Sequence, residues 1–150
     1  MNHLTSLIPY VSLTLFGKKL RCISAKRQIS VHNEKPLYKI VGINSSGSSP
    51  ELMSRLAPIF EKHHHIRHMG ANALEMAMLA EGLIDIFVDL RKKIRIQDLA
   101  AGYLLIKEAG GLILDENLQP LDSDLNYETR LSFVAAANKN ILDEIFSLIK

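Results

Sequence analysis

Apolar and polar positions along this chain alternate with two periods, and the two periods take turns. Residues 8–16 repeat every second position with β-branched and aromatic side chains, which predicts a strand closed by Gly17. Residues 18–24 predict a second, hairpin-related strand, and residues 25–35, rich in Lys, Arg, His and Asn, a solvated loop. A strand is predicted over 37–43 and runs into turn chemistry at 44–49. Ser49 is placed to cap a helix, Pro50 suits its first position, and Glu51 suits its positive end. Leu52, Leu56, Ile59 and Phe60 then supply a helical apolar face. Residues 71–80 are strong helix formers ending at Gly82, and 83–90 alternate as a strand with Asp85 and Asp89 near its ends. Asp98 opens a helix over 99–109 that Gly110 and Gly111 end; 112–114 is a short buried strand turned by residues 115–117. A strand over 131–137 and a helix over 141–149 complete the chain. Strands alternating with helices predict an α/β class with a layered αβα sandwich.

Composition narrows the setting. The chain has 150 residues, enough for one domain with a real core, and 47% of them are hydrophobic. A net charge of +2 implies no polyanion partner. The basic stretches 18–27 and 91–95 lack the aromatic interleaving of a nucleic-acid module, and the chain has no Trp, so no nucleic-acid partner is expected. The lone Cys22 forms no internal disulfide and fits a reducing compartment. No apolar run is long enough to span a bilayer, and residues 4–16 lack the basic start of a signal peptide. The expectation is a cytoplasmic protein without a membrane partner. His63, His64 and His65 are consecutive, so they point apart and predict a helix end rather than a zinc site.

The chemistry concentrates after residue 66. Gly70 precedes a helix whose first amides lack intrahelical partners, and Ala71 and Ala73 are small enough for a ligand to approach the backbone. Arg67 and Arg91 are candidates for bidentate pairing with phosphate, and Asp98 is an oxygen ligand of the kind Mg²⁺ prefers. Each has a plainer reading as well: Asp98 as an N-cap, Gly70 as a tight turn, Arg91 as part of a solvated run with Lys92 and Lys93.

Order and spacing carry more. The runs Gly70-Ala71-Asn72-Ala73-Leu74-Glu75, Gly82-Leu83-Ile84-Asp85, Gln97-Asp98-Leu99-Ala100-Ala101-Gly102 and Glu108-Ala109-Gly110-Gly111 resemble, in sequence order, the distal half of the inositol monophosphatase superfamily. The arginine-rich stretch 89–95 is similar to the archaeal branch that combines inositol monophosphatase and fructose-1,6-bisphosphatase activity. The resemblance is most specific over 67–115 and continues more weakly to the carboxyl end, while residues 7–13 are similar to the strand after the family's "D-P-[LI]-D-G-[TS]" loop. It implies residues 36–150 as a C-terminal sugar-phosphatase-like domain and 1–35 as remnant strands of an N-terminal domain with a connecting loop. It further implies Mg²⁺-dependent hydrolysis of a small phosphorylated polyol or sugar, with Asp98 as a metal ligand and Arg67, Gly70, Ala71, Asn72 and Arg91 facing substrate. The family's glutamate motif and its "D-P-[LI]-D-G-[TS]" loop do not occur in the sequence. The expectation is therefore weak or absent Mg²⁺ binding and little phosphatase activity in the isolated chain, which would pair as a homodimer or with a missing N-terminal segment. The alternative is a non-catalytic phosphate-ester-binding or interaction module.

Overall fold

The computed structural model describes residues 23–24, 27–32, 38–121 and 128–150. The strand predicted over 8–16, and most of the one over 18–24, lie outside the described residues. The described elements begin with a two-residue antiparallel pair, β1 (Ile23–Ser24) and β2 (Arg27–Gln28). The next four residues correct the expectation of a solvated loop. Ile29 and Val31 are buried while Ser30 between them is exposed, and the Val31 amide donates to the Ala109 carbonyl. Alternation inside a polar run places one apolar face against the core.

Next come β3 (Ile40–Ile43), α1 (Pro50–Lys62), β4 (His65–Arg67), α2 (Asn72–Ala80), β5 (Ile86–Arg95), α3 (Ile96–Glu108), β6 (Leu112–Leu114), β7 (Arg130–Ala136) and α4 (Lys139–Leu148). Five strands make one mixed sheet in the order β4-β3-β5-β7-β6. β3 runs parallel to β4 and β5, while β7 is antiparallel to β5 and β6. The helices pack as α2 with α3 and α1 with α4, giving the layered α/β arrangement.

Local chemistry explains the boundaries. Ser49 Oγ accepts from the Leu52 amide at 3.3 Å with Pro50 next in line, and Asn138 Oδ1 accepts from the Ile141 amide at 3.1 Å. The last helix therefore starts two residues before the predicted Ile141. β5 is longer than its alternation suggested. It continues past Leu90 to Arg95 because a register shift between Asp89 and Ile94 absorbs extra residues, with Lys92 at φ 54°. His63 is the buried C-cap of α1, and His65 starts β4, an edge strand that periodicity did not predict because three residues are too few to show it.

The core lies on both faces of β5 and β7. Phe87 and Phe133 meet edge to face on neighbouring strands, with ring centroids 5.4 Å apart. A Cβ on Gly42 would meet Phe87 Cδ2 at 3.0 Å, so the paired strand needs glycine there for space. No helix among the described residues is long and apolar enough to cross a membrane.

Candidate functional site

Three parallel strands, β4, β3 and β5, end on the same edge, and the chain leaving them builds a cavity of about 440 Å³. Ligands in open α/β sheets gather at such carboxyl ends. After β3 come Asn44 and Ser46; after β4 come Gly70 and Ala71, then Asn72 and Ala73 of α2. The irregular part of β5 contributes Arg91, Lys93 and Ile94, and α3 contributes Asp98. Of the residues singled out from sequence, Gly70, Ala71, Asn72, Arg91 and Asp98 line this one cavity. Arg67 does not; it is exposed and its Nη1 donates to the Ile66 carbonyl at 3.0 Å.

Asp89 organises the cations. Its carboxylate is fully buried and accepts from Arg91 Nε at 2.9 Å, Arg91 Nη2 at 2.7 Å and Asn72 Nδ2 at 2.8 Å. The hydrogen-bonded carboxylate raises the Arg91 pKa above its ordinary value, so the guanidinium stays charged. A carboxylate only accepts, so Asn72 must turn its amide nitrogen to Asp89 and its Oδ1 to Asn44, whose Nδ2 donates at 2.6 Å. Arg91 Nη1 and Lys93 Nζ reach the carbonyls of Ser46 and Gly47 at 3.1 and 2.8 Å. Two positive side chains are thus held at fixed positions with N–H groups to spare.

Gly70 adopts φ 71°, and no atom lies within 4 Å of where a Cβ would stand. It is glycine for its left-handed backbone, which turns the chain from β4 into α2. Ala71 caps α2 without a side-chain hydrogen bond, so first-turn amides are left for solvent or a ligand. Beneath this turn lies Glu75, wholly buried, with Oε1 accepting from the Met69 amide at 3.4 Å and Oε2 unpartnered. Burial pushes its carboxyl above its ordinary value of 4.5, against the smaller opposing pull of the Met69 and Ala71 amides. Between the unfolded and folded values the native state holds more protons, so stability must fall as pH rises through that window. Glu75→Gln has no charge to bury. Its stability relative to the wild-type chain, from urea melts at several pH values, is expected to grow upward from about pH 4.5 and then level off.

Asp98 is not an N-cap. Because β5 runs into α3 without a break, Arg95 takes the cap position and Asp98 falls in the first turn, where its Oδ2 accepts from Arg95 Nε at 2.9 Å. Its side chain is half exposed. Mg²⁺ requires near-octahedral oxygen coordination, and this cavity offers it one carboxylate, since Asp89 is sealed behind Arg91 and Asn72. Among the described residues no group of three or more His, Cys, Asp or Glu side chains could hold a metal ion. The described donor set does not by itself fit the ion.

Sequence reasoning missed Asn44, Ser46 and Lys93 as cavity residues and Asp89 as their organiser. For Asn44 and Ser46 the usable signal was positional: polar residues directly after a predicted strand of an α/β chain fall where ligands bind.

Known proteins share this fold. The sequence pattern described as the inositol monophosphatase family matches residues 10–150. A fructose-1,6-bisphosphatase/inositol-1-monophosphatase of Methanocaldococcus jannaschii is 42% identical over 94 residues, 63% of this chain and 37% of that protein. A fructose-1,6-bisphosphatase of Pyrococcus furiosus is 43% identical over 84 residues, 56% of this chain and 33% of that protein. The crystal structure of an inositol monophosphatase–fructose 1,6-bisphosphatase superposes with a TM-score of 0.75 at 34% identity, covering 85% of this chain and 49% of that one. The aligned part thus spans about a third of those two curated relatives and half of the solved structure. With a match over nearly all its length, the chain belongs to the inositol monophosphatase family.

Proposed function

We propose that this chain forms the phosphate-facing half of a Mg²⁺-dependent phosphomonoesterase for inositol or sugar phosphates, and that it turns over little substrate by itself. The observation that carries this reading is the shared cavity of Arg91, Lys93, the uncapped start of α2 and Asp98. Arg91 and the turn at Gly70, Ala71 and Asn72 hold the phosphoryl group through charge and N–H donors. Asp98 contributes one carboxylate to an ion whose other ligands come from outside the described residues. Arg67 belongs to this reading only if its exposed side chain swings toward the ligand. Residues 36–150 form the phosphatase-like unit in this reading, with 1–35 as the remnant of a preceding domain. A second copy or a preceding segment completes the site, and the exposed Met69 and Leu74 beside the cavity give it apolar surface to cover.

The test is calorimetric titration with inositol 1-phosphate, in Mg²⁺ and then in EDTA, alongside a phosphate-release assay. Binding that survives chelation, with negligible release, is expected. Mg²⁺-dependent turnover by the pure chain would overturn the inactivity. The alternative, a binding module derived from the family, is favoured by the single cavity carboxylate. It stands if a chain supplied with the amino-terminal half of an archaeal relative binds the ester yet still releases no phosphate.

A further inference from the structure

Ser46 lines the cavity, and its hydroxyl is tied to an imidazole that no step above uses. His68 Nδ1 lies 2.7 Å from the Ile43 carbonyl oxygen, and Nε2 lies 2.9 Å from Ser46 Oγ. A carbonyl only accepts, so Nδ1 carries a proton whatever the charge of the ring. In the neutral ring Nε2 is then bare, and Ser46 must spend its own proton on it. The hydroxyl meets the cavity with lone pairs alone. In the charged ring Nε2–H donates to Oγ, and the Ser46 proton is released to point at whatever occupies the cavity.

We infer that His68 is a positioning residue that sets the hydrogen-bonding polarity of Ser46, so that a tetrahedral anion binds together with a proton. The inference rests on the phosphate-site reading above. Anion and proton favour each other because both stabilise the arrangement in which Ser46 donates, and such coupling is reciprocal. Other charges face this pair from each neighbouring element. Glu75 of α2 interacts electrostatically with His68; Arg91 of β5 bonds the Ser46 carbonyl in front of Asp89; and Arg67 sits beside it on β4. Asp89 raises Arg91 above its ordinary value, so that guanidinium keeps its charge throughout the experiment. Glu75 is the group to separate, and Glu75→Gln does so.

Inorganic sulfate is the probe, because it stays a dianion across the range in which histidine titrates, about pH 5 to 8. Calorimetry in buffers of different ionisation enthalpy gives both affinity and protons taken up. Sulfate affinity is expected to fall about tenfold as pH rises through that range, the effect of one charge-assisted hydrogen bond, with net proton uptake on binding. His68→Gln should flatten the profile and abolish the uptake, Ser46→Ala should lose affinity at the acid end only, and Glu75→Gln should keep the response. Imidazole nitrogen shifts in the unmutated chain give a second readout that needs no variant. Sulfate should convert His68 Nε2 from a bare to a protonated nitrogen. An unchanged pH profile in His68→Gln, or an Nε2 shift that ignores sulfate, overturns the inference and leaves the phosphate site standing. Failure of sulfate to bind at any pH overturns both.

Discussion

Asp89→Ala is expected to destabilise the chain by about 3 kcal/mol, read as a lower urea midpoint with an unchanged slope. The carboxylate is fully buried, and its four accepted hydrogen bonds come from Arg91 and Asn72. Removing it leaves a guanidinium and an amide facing a hole, the costly way of breaking a buried pair. The lower end of the usual range is expected because Arg91 is 11% exposed and can recover some water. Asp89→Asn should cost less in energy but more in order. Its new NH₂ group, if turned toward Asn72, forces that amide to flip, and Asn44 must then flip in turn. The identity of one buried atom thus propagates through two asparagines to the cavity wall.

Phe87→Ala, on the same strand, is expected to cost about 3–5 kcal/mol through lost burial and an unfilled cavity. The ring is wholly buried and provides the edge-to-face partner of Phe133. It also closes the space above Gly42, which predicts a non-additive pair. Gly42→Ala alone forces its new methyl onto Phe87 at 3.0 Å, with Ile84 and Glu75 almost as close. In the Phe87→Ala background the methyl enters vacated space, so the double variant should lose less than the summed losses of the singles, by about 1 kcal/mol. Equal sums would mean that the two side chains do not share that volume.

Much of the fold was legible because local signals agreed with tertiary ones. Ser49 with Pro50 marked the start of α1, and Gly110 with Gly111 marked the end of α3. The resemblance over 67–115 carried the family. Ser46 and Asn44 read as turn chemistry because nothing local distinguishes a turn that faces solvent from one that faces a cavity. Asp89 read as the end of a strand because the bulge beyond it hides the strand's continuation to Arg95. Asp98 read as a cap because the true cap, Arg95, has a side chain that accepts no hydrogen bond from the helix amides and so carries none of the usual cap chemistry. Ile29 and Val31 were lost in a basic run whose average polarity concealed two alternating core residues.

The bulge in β5 sits between two stretches that both pair with β7, at Ile86 to Asp89 and again at Ile94 and Arg95. It is therefore a span pinned at both feet. A residue added or deleted between them that slipped the pairing of Ile94 with Leu131 by one would reverse which side chains beyond it point inward. Ile94 would trade its interior place for solvent, and the chain would enter α3 turned half about. Exchange of the exposed Lys92 side chain leaves the pairing at both feet in place, whereas a slip of the second foot does not.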